Sequence, residues 1–299
     1  ARLYSTSSSS SVATCTTPRG SRRIRASATA HRTAAVAALA LSPLTLSACG
    51  GDAAAEGDGE VLRVAATPTP HSDILRWVDE EGLDAEHGFE LEVVEFTDYL
   101  QPNVALQEGS VDANYYQHKV FLASQEESAG YDFEIVSPIS NQPMGLYSEE
   151  FDSLEELPEG ARVAVPNDPA NGARGLWLLE EEGLITLADT GDTPPTPEDI
   201  QDNPKGLEFV PVEAAQTPRS VGDADLSAVP GNYAVQTQLK VDDALAVEDP
   251  RDERFVINLV TTADKAEDER ITALAEVLKG DEVGTYIQDT WQGTVVQID

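Results

Sequence analysis

The sequence predicts an α/β fold with mainly parallel sheets, and three observations support this prediction. From Val61 onward, short runs rich in β-branched residues alternate with runs whose apolar residues recur at helical spacing. Residues 162–184 show one such unit complete, with an apolar strand, a turn and an amphipathic helix. The 299 residues suffice for one sizeable domain or two ordinary ones, and we find no internal repeat.

The predicted elements follow one another in regular order. The candidate strands are VLRVAA (61–66), FELEVVEF (89–96), VDANYY (111–116), FEIVS (133–137), MGLYS (144–148), RVAV (162–165), LEFVPV (207–212), LSAV (226–229) and FVINLV (255–260). The candidate helices are SDILRWVDEE (72–81), QPNVALQEG (101–109), QHKVFLASQEESAG (117–130), ARGLWLLEEEGL (173–184) and DKAEDERITALAEVLKG (264–280). Strands separated by helices indicate βαβ units. The Pro- and Asp-rich segment 186–206 predicts a surface excursion.

The first 48 residues predict a leader rather than part of the fold. A basic stretch, RGSRRIRASATAHR, precedes the apolar run TAAVAALALSPLTL, which is too short to span a bilayer permanently. LSAC (46–49) then resembles a bacterial lipobox, in which processing occurs before Cys49 and the Cys49 sulfur is acylated. The alternative is an ordinary signal peptide followed by an incidental cysteine. Residues 49–60 are predicted to form a flexible linker after the lipid anchor.

Charge and cysteine content restrict the class of protein. Six of the 19 basic residues and no acidic residue precede Cys49, so the remainder of the chain is strongly acidic. Such a surface repels nucleic acid and anionic lipid, and it suits a salty or extracellular setting in which charge is screened. Cys15 would be lost with the leader, so we expect no disulfide, thiol nucleophile or cysteine metal site.

The turn in PNDPANGARGLWLLEEEGL (166–184) carries the strongest chemical signal. It places Asn171, two glycines and a lone Arg174 between a strand and a helix. Small anions bind at such junctions, because free N–H groups and the positive end of the helix converge there. Asn, Asp, Gly and Pro also make ordinary turns, so this segment alone leaves both interpretations open.

Several segments together resemble the methionine-binding lipoproteins of the NlpA type, which serve ABC importers. These are ATPTPHSDIL, FTDYLQPNVALQEGSVDANYYQHKVFL, PMGLYS, VAVPNDPANGARGLWLLEEEGLI, NPKGLEFVPVEAAQTPRS and GNYA, in family order from Val61 to the C-terminus. The resemblance implies a periplasmic-binding-protein fold (type II-like), with two α/β lobes joined by crossover strands and a ligand cleft between them. The lobes would comprise 61–140 with 236–299, and 141–235.

The resemblance also implies a set of ligand-binding residues. Arg174 and Asn171 match the family's binding Arg and Asn, and a guanidinium suits a ligand carboxylate in a dry cleft. Tyr99, Tyr116 and His118 match cleft positions, although Tyr116 stands where Phe is common. Aromatic walls suit a thioether. The alternatives are a surface Arg174 and tyrosines and histidine that belong to the core or rim.

Two departures from the family pattern concern the ligand's ammonium group. Pro230 stands where the family often has Asn, and it lacks both an amide side chain and a backbone N–H. Ile257 stands at a second family Asn position, and Asn258 follows one residue later. A one-residue slip on a strand reverses the side-chain direction, unless a bulge rotates Asn258 back toward the cleft. With Tyr99, Tyr116, His118, Asn171 and Arg174, Asn258 is predicted as the sixth ligand-binding residue, and its contact with the ligand depends on such a bulge.

The sequence thus predicts a lipid-anchored extracytoplasmic receptor that delivers an amino acid or short peptide, L-methionine first, to an ABC importer permease. No cofactor, metal or nucleic acid is expected, and the protein should be a monomer. One alternative is an adhesion or scaffold lipoprotein that kept the fold and lost the ligand. An enzyme is the least favoured class, because no Ser/His/Asp arrangement, phosphate loop or metal-ligand spacing occurs in the sequence.

Overall fold

A computed structural model describes residues 60–298. The strands of this region are β1 (Glu60–Ala66), β2 (Phe89–Glu95), β3 (Ala113–His118), β4 (Phe133–Asn141), β5 (Gly145–Tyr147), β6 (Arg162–Pro166), β7 (Thr186–Leu187), β8 (Ile200–Asp202), β9 (Glu208–Val212), β10 (Leu226–Val229), β11 (Ala246–Val247), β12 (Ile257–Thr262) and β13 (Val296–Gln297). The helices are α1 (Asp73–Glu80), α2 (Leu83–Glu86), α3 (Gln101–Gln107), α4 (Lys119–Ala129), α5 (Pro169–Glu181), α6 (Thr217–Ser220), α7 (Gly231–Gln236), α8 (Glu269–Leu278) and α9 (Asp281–Trp291).

The first lobe is built on a six-stranded sheet in the order β13-β4-β12-β3-β1-β2. β1 pairs in parallel with β2 and β3, whereas β12 pairs antiparallel with β3 and β4. The parallel half follows from the helices that connect its strands, because a parallel connection needs a crossover. The sequence predicted mainly parallel sheets, but the strands that enter and leave this lobe are antiparallel.

The second lobe is built on a five-stranded sheet in the order β11-β5-β10-β6-β9. β6 is parallel to β9 and β10, and β5 is antiparallel to β10 and β11. The sequence assigned 141–235 to this lobe and later residues to the first. The pairing of β11 with β5 instead extends the second sheet to Val247.

Two segments therefore join the sheets. Residues 142–144 lead from β4 to β5, and residues 248–256 lead from β11 back to β12. Each sheet has its own apolar core, with Leu62 and Tyr115 fully buried in the first lobe and Leu146 and Leu179 in the second. This arrangement confirms the predicted α/β class with two lobes.

Three local features of the structure differ from the elements predicted from the sequence. α5 begins at Pro169, four residues earlier than predicted, because the Asp168 side chain caps it by accepting the Asn171 N–H. Arg174 therefore lies beyond the first turn of the helix. The segment 186–206 forms a small two-stranded ribbon, β7–β8. α9 was not predicted, and it follows α8 after a break at Gly280.

The leader, the lipobox with Cys49 and most of the predicted linker lie outside the described residues. Within 60–298, no helix has the length and apolar character needed to cross a membrane.

Candidate functional site

A small cavity lies between the two lobes, close to both joining segments. The free volume between its wall atoms is about 10 Å³, roughly the space that one water molecule needs, so the two lobes are closed on each other. It is lined by Tyr99, Tyr116, Gln117, His118, Phe121, Gln142, Asn171, Arg174, Asn232 and Ile257. Five of the six residues predicted to bind ligand are in this set, and Asn258 is the exception. Nine of the ten lining residues are at most 5% exposed, so the cavity is closed over.

Aromatic rings form the wall contributed by the first lobe. The Tyr99 ring lies 5.6 Å from Phe121 and 6.1 Å from Tyr116, measured between ring centroids. The Tyr116 hydroxyl donates to the Tyr99 backbone carbonyl at 2.9 Å, which holds the two rings together. Tyr99 also packs against Tyr233 of the second lobe at 5.0 Å. This wall is an apolar surface with hydroxyls at its edge.

His118 sits at the end of β3 and is held in one tautomer. Its Nδ1 accepts the Phe121 backbone N–H at 3.1 Å, so Nε2 carries the proton and donates to Asn171 Oδ1 at 3.2 Å. Burial and, secondarily, the charge of Arg174 lower the pKa of His118 to about 3. The ring is therefore a neutral hydrogen-bond donor that links the two lobes.

Asn171 lies in the first turn of α5, and both the nitrogen and the oxygen of its side-chain amide are hydrogen-bonded. Its Nδ2 donates to both carboxylate oxygens of Asp168, at 3.1 and 3.2 Å, while its Oδ1 accepts from His118. Burial raises the pKa of Asp168. The two oxygens of this one carboxylate share a single N–H of Nδ2, so Asn171 positions His118 and the start of α5 and keeps its second amide hydrogen.

Arg174 is buried, with only 3% of the residue exposed. Its Nε and Nη2 donate to the Glu248 carboxylate at 2.8 and 2.6 Å, and Nη2 also donates to the Gln142 carbonyl at 3.0 Å. The guanidinium carbon stands 4.5 Å from the Phe255 ring centroid. Within residues 60–298, Nη1 has no hydrogen-bond partner among the contacts of Arg174. The surface interpretation of Arg174 is therefore wrong.

The contacts of Arg174 reach both segments that join the lobes. Gln142 begins the first joining segment and Glu248 begins the second, and Glu248 also accepts the Met144 N–H at 2.7 Å. Because Glu248 occupies the Nε–Nη2 edge of the guanidinium, only the Nη1 side is left for a ligand carboxylate. The pair is neutral overall, which suits a zwitterion better than a net anion.

Asn258 does not line the cavity. Its Nδ2 donates to the carbonyls of Val256 and Gln117, at 2.8 and 3.3 Å. The register of β12 shifts on both sides of Asn258, so the anticipated irregularity is present. It leaves Ile257 on the cavity wall and directs the Asn258 amide into the sheet, so the expectation that Asn258 contacts ligand is not supported by this placement.

Pro230 forms the start of α7, and its carbonyl accepts the N–H groups of Tyr233 and Ala234 at 3.0 Å. The first turn of α7 then places Asn232 on the cavity wall, where its Oδ1 accepts the Tyr99 hydroxyl at 2.6 Å. Sequence reasoning missed Asn232, although GNYA was one of the matching segments.

Sequence reasoning also missed Gln142, Gln117, Phe121 and Glu248. Gln117 belongs to a buried amide network behind the wall, in which its side chain bonds Asn103 and Asn114. Gln142 bonds the buried His71 and Ser140. A buried amide flanked by apolar strand residues was a usable signal for Gln117, whereas no signal separated Glu248 from the other acidic residues.

Trp177 is half-buried, and the guanidinium carbon of Arg254 lies 4.9 Å from its ring centroid. His71 and Trp77 do not line the cavity: His71 is hydrogen-bonded to Thr67 and Gln142, and Trp77 stacks on Tyr286. Over residues 60–298, no group of His, Cys, Asp and Glu side chains could hold a metal ion.

The wall combines a buried guanidinium with an aromatic surface, a pairing of groups that suits a small zwitterion with an apolar side chain. Comparison with known proteins agrees with the sequence resemblance. The profile of the NlpA lipoprotein family matches residues 62–298. The D-methionine-binding lipoprotein MetQ of Salmonella typhi is 37% identical over 267 residues, covering 88% of this chain and 96% of that protein. The methionine-binding lipoprotein MetQ of Bacillus subtilis is 35% identical over 261 residues, covering 85% and 93%.

Solved structures show the same similarity. A nutrient-binding protein from Burkholderia cenocepacia, bound to methionine, superposes with a TM-score of 0.76 at 34% identity, covering 80% of this chain and all of that one. A lipoprotein from Actinomyces odontolyticus superposes with a TM-score of 0.76 at 37% identity, covering 81% and 100%. On the match over residues 62–298 and these relatives, the chain belongs to the NlpA lipoprotein family.

Proposed function

We propose that this protein is an extracytoplasmic substrate-binding lipoprotein of an ABC importer, which captures methionine or a closely related amino acid or short peptide and delivers it to the permease. The observation that carries the proposal is the closed cavity between the lobes, where the Arg174 guanidinium and an aromatic wall face the same small space. The relatives named for methionine binding support the choice of ligand.

The proposed binding residues have distinct roles. Arg174 binds the carboxylate through Nη1, and Tyr99 and Tyr116 contact the side chain, since thioethers pack favourably against aromatic rings. His118 and Asn171 hold the wall and the start of α5 in place across the lobes. Asn258 acts only through β12 and not by direct contact. The family's role is capture rather than catalysis, and we propose no cofactor and a monomeric state.

We further propose that residues 1–48 are removed, that Cys49 carries the lipid anchor, and that residues 49–60 tether the lobes to the membrane. Two or more acyl chains would make this anchor stable. Cys49→Ala should therefore release the protein from the membrane fraction or leave it unprocessed. Normal membrane retention of that variant would contradict the anchor without affecting the ligand.

The test of the ligand is mass spectrometry of small molecules that co-purify with the protein, followed by titration calorimetry. The panel contains L-methionine, D-methionine, glycyl-methionine and branched-chain amino acids. Methionine-type ligands should bind most tightly. If no amino acid or peptide binds, the scaffold alternative gains support. If a ligand without a carboxylate binds best, the role of Arg174 is wrong.

A further inference from the structure

Asn232 has an unused hydrogen-bonding group on the cavity wall. Four buried side-chain atoms within residues 60–298 have no partner: Ser72 Oγ, Asn141 Oδ1, Asn232 Nδ2 and Thr262 Oγ1. Of these residues only Asn232 lines the cavity. A buried amide nitrogen without an acceptor is costly, so it is expected to gain one when the site is filled.

The position of Asn232 is fixed from two sides. Its Oδ1 accepts the Tyr99 hydroxyl at 2.6 Å, which assigns the donor Nδ2 to the other side of the amide. The preceding Gly231 lies against the first joining segment, because a Cβ at position 231 would stand 2.5 Å from the Pro143 carbonyl oxygen. Only glycine permits this close approach, which presses the start of α7 against the segment and seats Asn232 at the cavity.

The other polar side chains of the wall are already engaged. Asn171, Gln117, Gln142 and His118 each direct their amide or ring groups to protein partners. Among the lining residues, the donor nitrogens with no hydrogen-bond partner within residues 60–298 are Arg174 Nη1 and Asn232 Nδ2. Two unpartnered donors match a ligand group rich in oxygen rather than an ammonium group.

We propose that Asn232 is a specificity-determining residue whose Nδ2 donates to a carbonyl-type oxygen of the ligand. That oxygen belongs either to the α-carboxylate of a free amino acid or to the peptide carbonyl of a dipeptide. This inference rests on the proposed function and adds a second binding group from the second lobe, close to the Pro230 position that lacks an amide.

The test is Asn232→Asp in the full chain, measured by titration calorimetry with L-methionine, L-methioninol and glycyl-L-methionine. The substitution keeps an acceptor for the Tyr99 hydroxyl but replaces the donor with a charged oxygen. Affinity for the ligand whose oxygen is contacted should fall about tenfold or more. A loss with L-methionine but not with methioninol identifies the carboxylate, and a loss with glycyl-methionine alone identifies the peptide carbonyl.

The matched control is Gln201→Glu, which makes the same amide-to-carboxylate change at an exposed residue of β8. It should change affinity by less than about twofold, since exposed charges are screened. Affinity of Asn232→Asp should also recover as the pH falls from about 8 to about 5, because the protonated carboxyl is again a donor. Thermal melting of both variants checks folding.

The same measurements distinguish a failure of this inference from a failure of the proposed function. If the unaltered protein binds methionine and Asn232→Asp binds all ligands as tightly as Gln201→Glu, the inference is overturned and the proposed function stands. Tighter binding by Asn232→Asp would show an acceptor toward the ammonium and overturn the donor assignment. If the unaltered protein binds none of the three ligands, the proposed function fails and the inference with it.

Discussion

At the scale of single residues, Arg174 combines a structural role with a role in binding. Its ion pair with Glu248 is buried, with side-chain exposures of 4% and 7%. Arg174→Ala should lower the free energy of unfolding by about 3–5 kcal/mol, because it leaves the Glu248 carboxylate buried without a partner. It should also abolish amino-acid binding. Urea denaturation and titration calorimetry measure the two effects.

The double variant Arg174→Met with Glu248→Met separates these effects. Replacing a buried pair by apolar side chains is often close to neutral for stability. The double variant should therefore regain most of the lost stability and still fail to bind. Binding by the double variant that equals that of the unaltered protein would contradict the role of Arg174 in the site.

Two buried histidines give the stability a pH dependence of known sign. Burial lowers the pKa of His71 and of His118 to about 3, from an ordinary value of 6.5. Between these values the unfolded chain binds more protons, so stability is complete above about pH 6.5 and falls as the pH decreases toward 3. Each histidine contributes a slope of up to about 1.4 kcal/mol per pH unit.

The groups that face the two rings differ. Arg174 and Asp252 carry charge near His118, whereas His71 contacts the uncharged Thr67 and Gln142. His71→Gln should therefore reduce the slope without disturbing a charged neighbour. The control is His87→Gln, which makes the same substitution at an exposed residue. Equal slopes for His71→Gln and the unaltered protein, measured by urea denaturation at several pH values, would contradict this assignment.

The residue scale also shows what the sequence can predict. The sequence allowed five of the residues on the cavity wall to be predicted, because each lies in a long segment that matches the family. These residues are Tyr99, Tyr116, His118, Asn171 and Arg174. Glu248 could not be foreseen, since its importance comes from a contact 74 residues away in the chain. The direction of the Asn258 amide could not be foreseen either, because it depends on a register shift set by both neighbouring strands.

At the scale of elements, the cap of α5 connects local structure to binding. Asp168 accepts the Asn171 N–H at 2.8 Å and holds the Asn171 amide that in turn bonds His118. Asp168→Ala should lower the free energy of unfolding by about 0.5–2 kcal/mol, the usual loss for an N-cap. It should also weaken ligand binding, because Asn171 and His118 lose their fixed orientation.

The control is Asp268→Ala, which removes the N-cap of α8 in the first lobe, where the Asp268 side chain accepts the Arg270 N–H. It should lower stability by a similar amount and leave binding unchanged. Equal effects of both variants on calorimetric affinity would mean that the cap of α5 acts only on stability.

The bounds of α5, β11 and α9 show where the local sequence is sufficient to predict an element and where it is not. The Asn-Asp-Pro sequence at 167–169 is both turn and cap, which is why α5 begins earlier than its apolar spacing indicates. β11 has two residues and no pattern of its own, so its membership of the second sheet depends on pairing with β5. α9 contains Gly284, a poor helix former, which weakens the helical signal in the sequence. Its apolar residues nevertheless pack against the core of the first lobe.

At the scale of the whole molecule, the two-lobed architecture was predictable because it requires only the order of strands and helices and the family resemblance. The bounds of the two joining segments were harder to predict, because they depend on which sheet each short strand enters. In the structure the first joining segment begins at Gln142 and the second at Glu248. Both contact Arg174, so the cavity and the connection between the lobes share the same buried group.

The closed cavity predicts that the two lobes open and close around a ligand. The lining residues are too buried for a ligand to enter, so the lobes must separate to admit it. The bonds that would break join opposite lobes: Tyr99 to Asn232 and His118 to Asn171. We expect rotation about residues 142–144 and 248–256, with a ligand favouring the closed form by adding contacts to both lobes.

Small-angle scattering should show a smaller radius of gyration when an amino acid that the protein binds is added to the ligand-free protein. Hydrogen exchange should slow at the backbone amides of both joining segments, because closure buries them and fixes their bonds. Tyr99→Phe removes one bond between the lobes and should shift the ligand-free protein toward the open form. If binding is measured but neither the scattering profile nor the exchange rates change in either protein, the lobes do not move and the ligand enters by another route.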